Sequence, residues 1–199
     1  MLHKPYVATR EERDKYRSVL EDARKVQWRY GYPPDFNSVN QLFEEGQTKV
    51  WPEGSLEETV QNAIKSWEME FSHKVRLQDF KTINPEKFKL FVNGNYSLCG
   101  FAWEVLSVYS GPPVIAFKFR HWGYFEGTFK GHAPTGEMVQ FLGLGVLKVD
   151  ESLRAEEIEI YYDPGELFGG LLKGPPISET KTTDTGDNTA EKQSCPFTQ

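Results

Sequence analysis

Cysteine is almost missing from this 199-residue chain: only Cys99 and Cys195 occur, the second in a polar tail. Two cysteines cannot supply the disulfide framework of a small secreted domain, so a reducing, cytoplasmic setting is the expectation. Histidine is scarce as well. His73, His121 and His132 are spread without a ligand spacing such as His-x-x-x-His, so no metal is expected. The first residues form no apolar signal core, and no run reaches membrane length, so no membrane partner is expected. Positive charge is in deficit, with 23 Lys and Arg against 29 Asp and Glu and a formal net charge of −6. A nucleic-acid binder would show a basic footprint, and a membrane-surface binder a polybasic patch; the basic residues here are scattered among acidic ones. Gly143-Leu144-Gly145 lies inside a strand-like pattern with no helix after it, so it is not a phosphate loop. No nucleophile elbow is evident, and no cofactor is expected.

Aromatic residues, by contrast, are plentiful: 14 Phe, 9 Tyr and 5 Trp. They suit a sheet-rich core or an aromatic-lined pocket. A chain of this length defaults to one domain with a proper core.

The segment 101–163 organises the rest. Phe101–Tyr109 and Val114–Trp122 are apolar-rich runs split by Ser110-Gly111-Pro112-Pro113, a strand–turn–strand pattern. Glu137–Asp150 and Glu156–Tyr162 read as two more strands, joined to the first pair by a Gly-rich bend over 123–136. Phe88, Leu90 and Val92 alternate with lysines as a half-buried strand. On the helical side, Thr9 and Glu12 form a capping box ahead of a charged helix that ends near Gly31. Asp35 caps a shorter helix stopping at Gly46. Ser55 and Glu58 open the strongest helix, whose stripe is Leu56, Val60, Ala63, Ile64, Trp67 and Phe71. Leu167–Leu172 is a short apolar segment. From Gly174 onward large apolar residues all but vanish, and a disordered tail is expected.

The fold class that follows is α+β: a curled antiparallel sheet whose concave face packs on helices and encloses a cavity. Trp67 and Phe71 from the helix and Phe117, Phe119 and His121 from a strand are the candidate ligand-binding residues, with plain core as their alternative. His121 shares a strand face with two phenylalanines and titrates near physiological pH when unperturbed. With Asp163 it is a candidate catalytic base, and Tyr124 or Tyr162 a candidate donor to a carbonyl. Asp163, beside Pro164-Gly165, could equally cap a turn.

Residues 127–136, Gly-Thr-Phe-Lys-Gly-His-Ala-Pro-Thr-Gly, followed by 141–146 and Tyr161-Tyr162-Asp163, resemble SnoaL-like polyketide-cyclase domains. Residues 39–46, 49–58, 108–123 and 163–167 resemble the plant pathogen-related protein group more closely still. The resemblance implies the cone-shaped nuclear-transport-factor-2-like fold and a defence association. It also implies a domain over 55–173, preceded by a helical extension over 1–54 and followed by the tail 174–199. Relatives carry a longer stretch between the strand near Phe88–Val92 and the one beginning near Phe101, so this chain looks shortened there and its cone open. Ile158, Glu159 and Ile160 stand where cyclases place a catalytic His or Asp. Three functions are therefore expected in competition: a pocket for a small apolar molecule, proton abstraction next to a carbonyl, or a homodimeric interaction module that exposes Trp103, Tyr109, Trp122 and Tyr161.

Overall fold

The computed structural model describes residues 14–17, 25–92 and 101–177. Two larger helices precede the sheet: α1 (Asn37–Gly46) and α2 (Leu56–His73). Then come a 3-10 turn at Leu77–Asp79 and the strands β1 (Lys89–Val92), β2 (Ala102–Val108), β3 (Val114–Tyr124), β4 (Met138–Val149) and β5 (Ala155–Tyr162). Helix α3 (Pro164–Leu171) closes the series.

The strands form one open sheet in the order β1-β5-β4-β3-β2. Strands β2 to β5 are antiparallel neighbours, as the period-2 patterning predicts. Strand β1 departs from that expectation: it joins β5 in parallel, so the sheet is mixed. A parallel neighbour arrives through a long connection, here three intervening strands, and local patterning carries no trace of it. Register shifts at Val105–Ser107 and Lys148–Val149 mark bulges, which bend a strand.

Alternation assigns the two faces. The inner face carries Trp103, Phe117, Phe119, His121, Phe141, Ile158, Ile160 and Tyr162, all buried. Helix α2 contributes Val60, Ile64 and Trp67 to the same cluster, and α3 contributes Leu167 and Leu171. Burying side chains of this size is worth about 1.5–3 kcal/mol each, so this docking dominates the stability of the fold. The α2 start keeps the Ser55 half of the predicted capping box: Ser55 accepts from the Glu58 amide. The Glu58 return goes instead to the Gly54 amide, at 2.6 Å, because the Ser55 amide is bonded to the Pro52 carbonyl.

Helix α1 covers part of the outer face, where Phe43 packs with Ala102 and Trp122. Its cap differs from expectation: the flanking residue is Phe36, while Asp35 accepts from the Asn37 amide. The charged helix expected from Thr9 is not seen where it can be checked, since 14–17 and 25–30 are not helical; its remaining residues lie outside the described ones. Of the tail expected from Gly174 onward, only 174–177 are among the described residues. Ile177 donates to the Gly131 carbonyl, and Ala133 donates to Pro175, so 174–177 are tied to the Gly-rich bend.

Candidate functional site

Two places between α2 and its surroundings hold chemistry. The first is an apolar cavity of about 60 Å³ under the N-terminal half of α2. Val60, Ala63 and Trp67 line it from the helix, and Ile115, Leu147 and Ile158 from the sheet. It exists because α2 offers small Ala63 between larger neighbours, while the facing strand positions are aliphatic. Its polar wall groups are few. Thr59 donates its hydroxyl to the Ser55 carbonyl at 2.9 Å, and Thr82 donates to the Glu70 carboxylate. The Trp67 indole N–H has no acceptor among the described residues, although Trp67 is only 4 % exposed.

The second place is a buried polar cluster on the other half of α2. The Glu68 carboxylate lies 3.9 Å from His121 Nε2. Burial pushes Glu68 up to about 8, against the opposing pull of Arg17, a hydrogen bond from Trp103 and the Lys65 charge. Burial also drives His121 down to about 3, in spite of a hydrogen bond to the Phe101 backbone. At neutral pH both groups are therefore uncharged. An imidazole this hard to protonate is a weak general base. The His121 ring is walled by Trp103 at 4.6 Å, Phe141 at 5.3 Å and Phe101 at 5.6 Å between centroids.

Lys65 extends the cluster toward the segment 14–17. Its ammonium position lies 3.0 Å from the Phe43 ring centre and 3.7 Å from that of Tyr16, with no hydrogen-bond acceptor among the described residues. Burial lowers it to about 6, helped by the neighbouring Arg17 charge. Arg17 is itself buried. It donates to Asn40 at 2.8 Å, pairs with Asp14 at 3.2 Å and stacks on Phe36.

The sequence-derived candidates separate into distinct environments. Of the five ligand-binding residues, Trp67 lines the cavity. Phe117, Phe119 and His121 are fully buried in the core, and Phe71 packs on Trp67, Phe80 and Phe88. The four catalytic candidates are not brought together. His121 and Tyr162 share the inner face with Phe141 between them. Tyr124 is on the outer face, 51 % exposed. Asp163 caps α3, accepting from the Gly165 amide at 2.8 Å. Glu68 and Lys65 read from the sequence as polar positions of a helix with an apolar stripe; Phe43 of α1 and Tyr16 enclose Lys65, while Glu68 meets His121 and Trp103 of the sheet. Among the described residues no cluster of His, Cys, Asp and Glu has the makings of a metal site. No helix among them is long and apolar enough to cross a membrane.

No family model matches the sequence. Among solved structures, a candidate polyketide cyclase from Acidithiobacillus ferrooxidans aligns with 63 % of this chain and 100 % of its own, at 11 % identity and a TM-score of 0.49. A candidate SnoaL-like polyketide cyclase from Jannaschia sp. CCS1 aligns with 47 % of this chain and 76 % of its own, at 16 % identity and a TM-score of 0.40. Likeness at that level bears on no reaction. Sequence speaks more strongly. A curated protein of Hordeum vulgare, named pathogen-related protein, is 40 % identical over 214 residues, covering 83 % of this chain and 91 % of the barley protein. That alignment is longer than the chain's own 199 residues, so the barley protein carries residues with no counterpart here. With this identity across nearly the whole relative, the chain belongs to the pathogen-related protein family.

Proposed function

We propose that this pathogen-related protein binds a small, mainly apolar molecule in the cavity between α2 and the inner face of the sheet, in a cytosolic, defence-associated setting. The observation that carries the reading is the cavity's wall, aliphatic on the sheet side and aliphatic with Trp67 on the helix that roofs it. At about 60 Å³ it is far smaller than the roughly 300–1,000 Å³ of drug-sized sites, which limits the ligand to a few heavy atoms without rearrangement.

The test is a titration with isobutene, whose four carbons suit a void of about 60 Å³, followed through the methyl resonances of Val60, Ile115 and Leu147. Saturable shifts confined to the cavity wall are the expected result. Ala63→Leu, which fills the void, should abolish them while leaving the far-ultraviolet circular dichroism unchanged. Shifts spread over the surface, or none, would reject the reading.

A second reading, association of two copies through the outer face, is favoured by one observation. Met138, Leu142, Leu144 and Tyr161 leave that face between 44 % and 54 % exposed over β4 and β5, away from α1. The residues expected to form this surface divide: Tyr109 and Tyr161 are exposed, but Trp103 and Trp122 are each only 2 % exposed and belong to the interior.

A further inference from the structure

Resting on the cavity reading above, we infer that the cavity is the inner end of an open-mouthed slot that takes the tail of an unbranched alkyl chain, with the polar head of the molecule left in water at the rim. Burial along the wall is uneven. Val60, Ile64, Trp67, Ile115 and Ile158 are at most 5 % exposed, yet Thr59 and Pro112 are exposed and Leu153 is 55 % exposed. Buried and exposed residues share one wall, which places the mouth where these last three stand. There the β2–β3 and β4–β5 turns approach the first turn of α2. A Cβ on Gly111 of the β2–β3 turn would sit 3.8 Å from the Leu56 side chain, and Leu153 belongs to the β4–β5 turn.

The wall also has a direction. On α2 it runs from Leu56 to Trp67, about 16 Å of helix at a rise of about 1.5 Å per residue. A volume of about 60 Å³ drawn out along such a wall is slender, and a file of single methylenes fits it better than a ring or a branched skeleton. That volume limits only what goes inside. With the mouth open, a longer molecule keeps its remaining atoms over Leu56, Pro112 and Leu153, which are apolar. The polar head does not lead. The end away from the mouth is formed by Ile64, Trp67 and Ile158, and the two wall hydroxyls, on Thr59 and Thr82, already donate to the Ser55 carbonyl and the Glu70 carboxylate. A hydroxyl or a charge driven to that depth loses its hydration with little to replace it. The ligand class is therefore a straight-chain amphiphile, bound tail first.

The probes are the 1-alkanols from ethanol to 1-hexanol, titrated into the full chain and followed through its methyl resonances. Affinity should rise about fourfold per methylene while methylenes enter the void, then level off as they reach the rim. 1-Butanol should shift the Leu56 and Leu153 methyls together with those of Val60 and Ile115. Its isomer tert-butanol, which cannot send a chain inward, should bind about tenfold more weakly. So should 1,4-butanediol, which must bury a hydroxyl to enter, by about the same factor. Leu153→Gly changes an exposed position whose φ of +59° suits glycine, so its fold is secure; it should weaken 1-hexanol about threefold and leave isobutene unchanged. If isobutene is not taken up, the cavity reading itself fails. If isobutene binds while alkanol affinity stays flat with chain length, or while tert-butanol or the diol matches 1-butanol, the cavity stands and the tail-first inference is overturned.

Discussion

At the scale of single residues, a pair of glycines and a lysine show opposite uses of chemistry. Gly143 and Gly145 sit opposite Phe119 and Phe117 across the β3–β4 ladder, and a Cβ at either would come within 2.2 Å of the facing ring. They are glycine so that aromatic rings can lie flat on the strand, which is why a Gly-Leu-Gly stretch occurs with no nucleotide to hold. Lys65 is a different case: an amine enclosed by Tyr16 and Phe43 with no acceptor among the described residues. Its proton affinity falls from 10.5 in the unfolded chain to about 6 in the folded one. Between those values the unfolded chain holds a proton that the folded chain lacks, so stability rises with pH across that window. Glu68, raised from 4.5 to about 8, works in the opposite sense up to pH 8, because there the folded chain holds the extra proton. The contribution of Lys65 is therefore clearest between pH 8 and 10. Lys65→Met should raise stability at pH 7 by about 1–3 kcal/mol, because it removes a buried amine without an acceptor and the proton loss that its burial requires. It should also flatten the rise in urea midpoint between pH 8 and 10. A variant less stable than the parent, with an unchanged slope, would show that the amine is better accommodated than its geometry indicates.

At the scale of elements, α2 carries the most weight, and its two ends are secured differently. The N-terminus has the Ser55–Glu58 capping box. The C-terminus ends in a fully buried pair, Lys74 to Glu70 at 2.7 Å. Glu70 also accepts from the Lys81 and Thr82 amides, and Lys74 donates to the Asp79 carbonyl at 2.8 Å. The helix end is thus bolted to the turn that leads into β1. Loss of a cap costs about 1 kcal/mol. Loss of one partner from a buried pair costs about 3–5 kcal/mol, because the other charge stays buried and uncompensated. Urea denaturation should accordingly rank Lys74→Met well above Ser55→Ala in destabilisation. A near-equal ranking would mean that the pair admits water in the variant. The cap was legible, since it is written in four consecutive residues. The bolt was not, because Glu70 and Lys74 also look like an ordinary surface pair four residues apart on a helix, and only the chain folding back at Asp79–Thr82 covers them.

At the scale of the whole molecule, the sheet divides its two faces unequally. The inner face is closed by α2 and α3, while the outer face is covered by α1 only toward β2 and β3. There Glu104, completely buried, accepts from the Lys49 amide at 2.7 Å and pairs with Arg120 at 3.2 Å, which fixes the chain leaving α1 against the sheet. The remainder, with Leu142, Leu144 and Tyr161, stays open. Apolar surface gathered on one face marks an association site more often than chance. Sedimentation equilibrium should find a dimer for the parent chain and a monomer for Leu144→Glu with its thermal transition unchanged. A monomeric parent at high concentration would remove the second functional reading and leave the first intact.

The sequence alone determined the strands from Phe101 onward, the cap and stripe of α2, the short α3 segment and the family. Each is encoded locally, in periodicity, turn residues or contiguous motifs. It also determined which strand face would be apolar, and so placed His121 and Tyr162 inside. Only the tertiary structure decided that β1 runs parallel to β5, that His121 is neutral among three rings, and that Tyr124 and Asp163 point away from it. Only the tertiary structure, too, set the void beneath Ala63 apart from the polar cluster around Glu68 and Lys65. Burial and proximity depend on which elements meet, and a helix records its own apolar stripe but not what comes to rest on its polar side.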